Sequence, residues 1–149
     1  MFIAALIAGL HYLGIMALAA TLVAQVFTLR GDVSREAVQR LARVDLLYGM
    51  AAVLVLATGL LRLTTAYGRG PAFFMQNGVF HLKVTLFVIV ALLSIVPTVR
   101  FLRWRRSALR AGQPVLPAAE DFRGTRRLVM AELHILFLIP FLAALMVRI

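Results

Sequence analysis

The chain has 149 residues, of which 62% are hydrophobic, and a net charge of +10. Soluble domains are nearer half apolar, and here the excess is gathered in four long blocks, which is typical of a membrane protein. The absence of cysteine excludes disulfides, cysteine-ligated metals and thiol catalysis. Most arginines lie in two loops, so we expect them to orient the protein and contact anionic lipid, and not to bind nucleic acid.

The first apolar segment covers about residues 2–29. No basic region precedes it, so we expect a membrane span and not a cleaved secretory signal. Small and polar residues share one helical face, which predicts the side that packs against other helices. These residues are Ala4, Ala8, His11, Leu18 and Gln25.

The second span is predicted at about residues 44–65. Ser34 can cap a helix that begins at Arg35 and continues into this span, with Glu36 favourable in its first turn. Asp45, Ala52 and Gly59 are seven residues apart, so they form another stripe of small and polar residues.

The third span is predicted at about residues 79–99, with a kink at Pro97, and the fourth at about residues 127–147, interrupted by Pro140. Residues 67–78 read as a glycine-rich loop with Phe73 and Phe74 at the membrane interface. Residues 100–119 read as a basic, irregular connection, because Pro114 and Pro117 forbid a continuous helix.

The distribution of arginine predicts the orientation. Loops one and three are rich in arginine, whereas loop two holds only Arg69. The positive-inside rule then places loops one and three in the cytoplasm and both termini outside. We therefore predict one all-α domain over residues 1–149, an up-down-up-down four-helix bundle in a bacterial inner membrane.

Depth, counted at about 1.5 Å per helical residue, sorts the intramembrane polar residues into two clusters. The outer cluster contains His11, Arg62, His81 and Lys83, and the inner cluster contains Asp45, Tyr48, Glu132 and His134. Snorkelling to the interface is an alternative for Lys83 and Arg62, but His11 is too deep to reach it. His81 and Lys83 are two residues apart and cannot share a face, so one points inward.

Histidines on facing helices of a bundle are how haem b is held, and His11 with His134, or His11 with His81, would supply such a pair. His11 and His134 are also the candidate metal ligands. A soft copper site at Met130 and His134 is an alternative, although methionine is ordinary core filler. The sequence contains no phosphate-binding loop, nucleophile elbow or metalloprotease motif.

Five motifs carry a resemblance to a known family. They are Leu-His-Tyr-Leu-Gly at 10–14, Arg-Val-Asp-Leu-Leu-Tyr-Gly at 43–49, Thr-Gly-Leu-Leu-Arg at 58–62, Phe-His-Leu-Lys at 80–83 and Pro-Thr-Val-Arg-Phe at 97–101. Together they resemble the bacterial predicted membrane proteins of domain of unknown function 2214, over essentially the whole chain. More remotely, the histidine of span one and the His-Leu-Lys of span three are similar to HemJ-type protoporphyrinogen oxidases and CopD copper-resistance proteins.

The HemJ resemblance implies haem b in a four-helix membrane bundle, with His11 and Lys83 as the functional positions. The first span departs from that pattern after its histidine, reading Ala-Leu-Ala-Ala-Thr at 17–21 and then Gln25, so haem binding is favoured over porphyrinogen oxidation. We expect a redox protein or one linked to a porphyrin or quinone-like substrate, with Lys83, His81, His134 and Arg62 as further cofactor-binding candidates. The alternatives are a non-enzymatic accessory subunit or assembly factor of a larger membrane complex, and a transporter or copper-handling protein. The partners expected besides the lipid bilayer are a second copy of the chain or a subunit of a membrane complex.

Overall fold

The computed structural model describes residues 2–65, 70–146 and 148, and these residues form helices and no strands. Four long helices are each long and apolar enough to cross a membrane, which confirms the all-α prediction. They are α1 (Phe2–Arg30), α2 (Arg35–Thr65), α4 (Gly78–Ala108) and α5 (Ala119–Met146), and the short α3 (Gly70–Gln76) lies between α2 and α4.

Side-chain caps define the starts of two helices. The Ser34 hydroxyl accepts a hydrogen bond from the backbone N–H of Ala37 at 3.0 Å, which confirms the predicted start of α2 at Arg35. The Asn77 side chain likewise accepts from the N–H groups of Val79 and Phe80 at the start of α4.

The long helices α4 and α5 extend further at one end of the bundle than the sequence predicts. Helix α4 continues through Pro97 to Ala108, and α5 begins at Ala119 instead of near residue 127. Buried aromatic packing holds these extensions together, because the Trp104 ring lies 5.3 Å from that of Phe122. The irregular connection is therefore confined to residues 109–118.

The predicted loop at 67–78 is also partly wrong, because residues 70–76 form α3. Phe74 is only 7% exposed, and its ring lies 5.4 Å from that of Phe73 and 5.8 Å from that of Phe80. Burial of an aromatic side chain offsets the entropy lost in ordering this short helix. Tyr67 and Arg69 of the predicted loop, and Val147 at the end of the predicted fourth span, lie outside the described residues.

The four long helices form a ring in which each packs against its neighbours in sequence, and α1 closes against α5. The diagonal pairs, α1 with α4 and α2 with α5, do not pack directly, and the α2/α4 seam is the least extensive. We call the end that carries residues 30–43 and 100–127 the basic end, and the opposite end the α3 end. The seam between α1 and α2 is the closest, because a Cβ at Gly14 would lie 2.7 Å from Val55 Cγ2.

Candidate functional site

A layer of polar side chains crosses the bundle core near the basic end. Asp45 of α2 is its centre and is 8% exposed. Its Oδ1 accepts hydrogen bonds from Gln25 Nε2 of α1 at 3.4 Å and from Thr98 Oγ1 of α4 at 3.1 Å. A buried carboxylate that accepts from two helices links α1, α2 and α4 in one register.

Helix α5 contributes Glu132, which is only 1% exposed. The hydroxyl of Tyr48 lies next to its carboxyl and next to Ser94 of α4. Glu132 Oε1 is buried and has no hydrogen-bond partner in the part of the chain that the structure describes. Such an atom is uncommon in a folded core and requires an explanation.

The polar layer opens into a groove of about 850 Å³ along the α2/α4 seam. Asp45, Tyr48, Ser94 and Thr98 supply its polar groups, while the rest of its wall is apolar. Leu46, Met50 and Val53 line it on α2 and are more than half exposed. Because exposed apolar side chains on a membrane helix face lipid, the groove opens sideways toward the bilayer.

A second group of polar residues lies toward the α3 end, around the half-buried imidazole of His11. Its Nδ1 lies 2.9 Å from the hydroxyl oxygen of Thr58 on α2. That hydroxyl donates its one proton to the Leu54 carbonyl at 2.6 Å, so it accepts from His11. The proton of a neutral His11 ring is therefore assigned to Nδ1, which leaves Nε2 as the nitrogen with a lone pair.

Two cations approach this histidine. Arg62 of α2 and Lys83 of α4 both act electrostatically on His11. The Arg62 guanidinium lies 5.3 Å from the ring centre of Tyr12, and Lys83 Nζ lies 5.3 Å from that of Phe80. Neither cation forms an ion pair with any carboxylate within residues 2–65 and 70–146. We call His11, Arg62 and Lys83 the basic trio.

The structure leaves two predicted site residues outside these groups. His81 is exposed and its Nε2 lies 2.8 Å from the Met75 carbonyl oxygen. His134 is also exposed, and its Nδ1 lies 2.6 Å from the Met130 carbonyl oxygen of its own helix, so it does not join the inner cluster. Within the described residues, no group of three or more His, Asp or Glu side chains is arranged to hold a metal ion. Metal binding by His11 and His134 stays a prediction.

Some residues of the polar layer were not singled out from the sequence. Thr98 and Ser94 are ordinary in an apolar helix, since their hydroxyls usually bond to their own backbone. Thr98 belongs to the motif at residues 97–101, but only the helix pairing shows that it reaches Asp45. Thr58 is similar, because its role depends on the contact with His11.

Four apolar helices with a polar core define this protein as a multi-pass helical membrane protein. The chain belongs to the family of predicted membrane proteins termed DUF2214, whose model matches residues 3–148. No curated protein and no solved structure matches the chain.

Proposed function

We propose that the groove between α2 and α4 binds an amphipathic, quinone-like molecule that is dissolved in the bilayer. The observation that carries this proposal is a largely apolar groove, open to lipid, that contains the polar groups of Asp45, Tyr48, Ser94 and Thr98. Ligand sites are typically apolar with a few converging polar groups that fix orientation. The polar head of the ligand packs against these groups, and its tail lies along the apolar wall.

Short side chains along the groove leave room for such a ligand. Small residues line it on both helices, namely Gly49 and Ala52 on α2 and Ala91 on α4. Because these side chains are short, the two backbones do not have to separate to admit a flat ring. A bulky residue at Ala91 fills this space without altering the polar groups.

The test is photo-crosslinking of an alkyl benzoquinone, carrying a photoreactive group, to the purified protein in lipid nanodiscs. We expect crosslinks to map to α2 and α4 around the groove, and excess unlabelled quinone to prevent them. Ala91→Leu should abolish the labelling. Ala5→Leu, at an exposed position on α1 away from the groove, is the matched control and should leave it unchanged. Labelling that is insensitive to Ala91→Leu would contradict the proposal.

A second candidate function, haem b binding, is favoured by the hydrogen bond between His11 and Thr58. Metal-ligating histidines characteristically donate their other ring N–H to an acceptor, which is the arrangement assigned to His11. His11 Nε2 would bind the haem iron, and Lys83 and Arg62 would hold the propionates. Haem would supply one-electron chemistry, and these residues would hold and orient it.

An absorption spectrum of the purified protein, after growth with a haem supply, tests this second candidate. We expect a Soret band that is lost in His11→Ala and retained in His134→Ala, since His134 lies on the exposed face of α5. A spectrum without a Soret band contradicts haem binding and leaves the groove proposal unaffected. Failure of both ligands, together with a stoichiometric partner protein, would instead favour the accessory-subunit role.

A further inference from the structure

We propose that Glu132 and Asp45 form a carboxyl pair that holds one exchangeable proton inside the bundle. Nothing in this proposal depends on which molecule occupies the groove. It rests on the burial of the two carboxyls, on their uneven hydrogen bonding and on the absence of a counter-ion near them among the described residues.

The burial of Glu132 and Asp45 limits the charge that the two carboxyls can carry together. Glu132 is 1% and Asp45 8% exposed, and the two carboxyls act electrostatically on each other. The groups that face them are Gln25 of α1, Tyr48 of α2, and Ser94 and Thr98 of α4, all uncharged. Two buried negative charges without a cation are too costly to coexist, so at least one proton must be held there.

Arg100 is the nearest cation along α4 to this layer, and it has a different partner. Its Nη1 donates to the Thr125 hydroxyl on α5 at 2.9 Å. No ion pair to Asp45 or Glu132 forms within the residues that the structure describes. A proton, and not an arginine, is therefore the neutralising charge.

The hydrogen bonds of the two carboxyls indicate which one carries the proton. Asp45 Oδ1 accepts two hydrogen bonds, from Gln25 and Thr98, which is the environment that stabilises an ionised carboxylate. Glu132 Oε1 is buried and accepts none from the described residues. The neutral acid is therefore assigned to Glu132, and the charge to Asp45.

Tyr48 lies between Glu132 and the groove. Asp45 and Tyr48 line the groove, whereas Glu132 lies behind them. The Tyr48 hydroxyl lies next to the Glu132 carboxyl and is both a donor and an acceptor, so it is the polar group that connects Glu132 with the groove. The pair carries one negative charge while Glu132 holds the proton.

The experiment uses dicyclohexylcarbodiimide, which adds to protonated carboxyls in apolar surroundings and leaves a stable acylurea. The full-length protein in nanodiscs is treated over a range of pH and analysed by intact mass and peptide mapping. We expect one adduct on Glu132, formed more slowly as the pH rises, and none in Glu132→Gln. Glu120→Gln removes an exposed carboxyl and should leave the labelling unchanged.

Asp45→Asn gives a second readout that does not require Glu132 to be replaced. Removing the neighbouring negative charge favours ionisation of Glu132, so the labelling profile should move to lower pH. An unshifted profile would contradict the pair, and labelling of Glu132 that does not change with pH would contradict the exchangeable proton. Labelling is also compared in sodium and in choline at equal ionic strength. Protection by sodium would overturn the proposal in favour of a metal-cation site.

Discussion

Tyr48 of α2 and Glu132 of α5 meet across the diagonal of the bundle, although these two helices do not pack side by side. Together with the hydrogen bonds that Asp45 accepts from Gln25 and Thr98, this contact draws all four long helices into one polar layer. Lipid tails are as apolar as leucine, so burial of apolar side chains alone fixes helix rotation poorly in a membrane. The polar layer is the feature that specifies which face of each helix points inward.

The unpartnered carboxyl oxygen predicts that Glu132 costs stability. Glu132 Oε1 has no partner among the described residues, and its desolvation penalty of about 1–3 kcal/mol exceeds the net contribution of about 1 kcal/mol from the contact between Tyr48 and the rest of the carboxyl. We expect Glu132→Met to raise the thermal unfolding temperature in detergent. Glu132→Gln keeps a polar group there and should give no such gain. A lower unfolding temperature for the methionine variant would mean that the contact with Tyr48 outweighs the penalty of the unpartnered oxygen.

The close approach of α1 and α2 predicts that Gly14 tolerates no side chain. A Cβ there would lie 2.7 Å from Val55 Cγ2, so Gly14→Ala forces the helices apart, at a cost of about 1–3 kcal/mol. A methyl group at Gly9 on the same helix would have no neighbouring atom within 4 Å, so Gly9→Ala is the control. Thermal unfolding of the two variants should differ in this direction, and equal stability would be inconsistent with the close seam.

The hydrogen bonds of Thr58 predict the tautomer of His11. We expect nitrogen NMR of labelled imidazoles to show the proton on Nδ1 in the neutral ring, with the signal assigned by comparison with His11→Gln. Thr58→Val removes the acceptor and should change both this signal and the stability, the latter by about 1 kcal/mol. Thr58→Ser keeps the hydroxyl and should preserve the signal. A proton on Nε2 in the unmodified protein would refute the assignment.

The absence of cysteine makes the orientation testable with single-cysteine variants. Val115→Cys and Ala72→Cys place thiols at exposed positions at the basic end and the α3 end, respectively. In intact bacterial cells, a maleimide that cannot cross the membrane should label the variant at 72 and not the one at 115. Permeabilised cells, in which both should react, provide the control. The reverse pattern would invert the predicted topology.

The four spans could be predicted because each apolar block is long enough to cross a bilayer, and this signal does not depend on tertiary contacts. The ends of the helices could not be predicted in the same way. Helix α4 reaches Ala108 because Trp104 packs on Phe122, a residue that lies on another helix. Helix α3 depends similarly on the burial of Phe74.

The sequence predicts how deep each polar residue of the candidate site lies in the membrane, but it does not predict which way its side chain points. Counting residues along the spans groups His11 with Arg62, His81 and Lys83. The structure places Arg62 and Lys83 near His11, whereas His81 is exposed and contacts the Met75 carbonyl oxygen. The same count grouped His134 with Asp45, but His134 lies on the exposed side of α5. In a span that is apolar all round, the sequence does not mark which face turns inward, so the partners of each polar residue follow only from helix pairing.

The uneven packing of the seams has a mechanical consequence. The α1/α2 and α4/α5 seams are the most extensive and the α2/α4 seam the least, so we expect the bundle to open between α2 and α4 while the α1/α5 seam stays closed. A molecule using that opening would travel within the membrane plane and never pass through water. The rates at which it enters and leaves would therefore depend on the thickness and the lateral pressure of the bilayer.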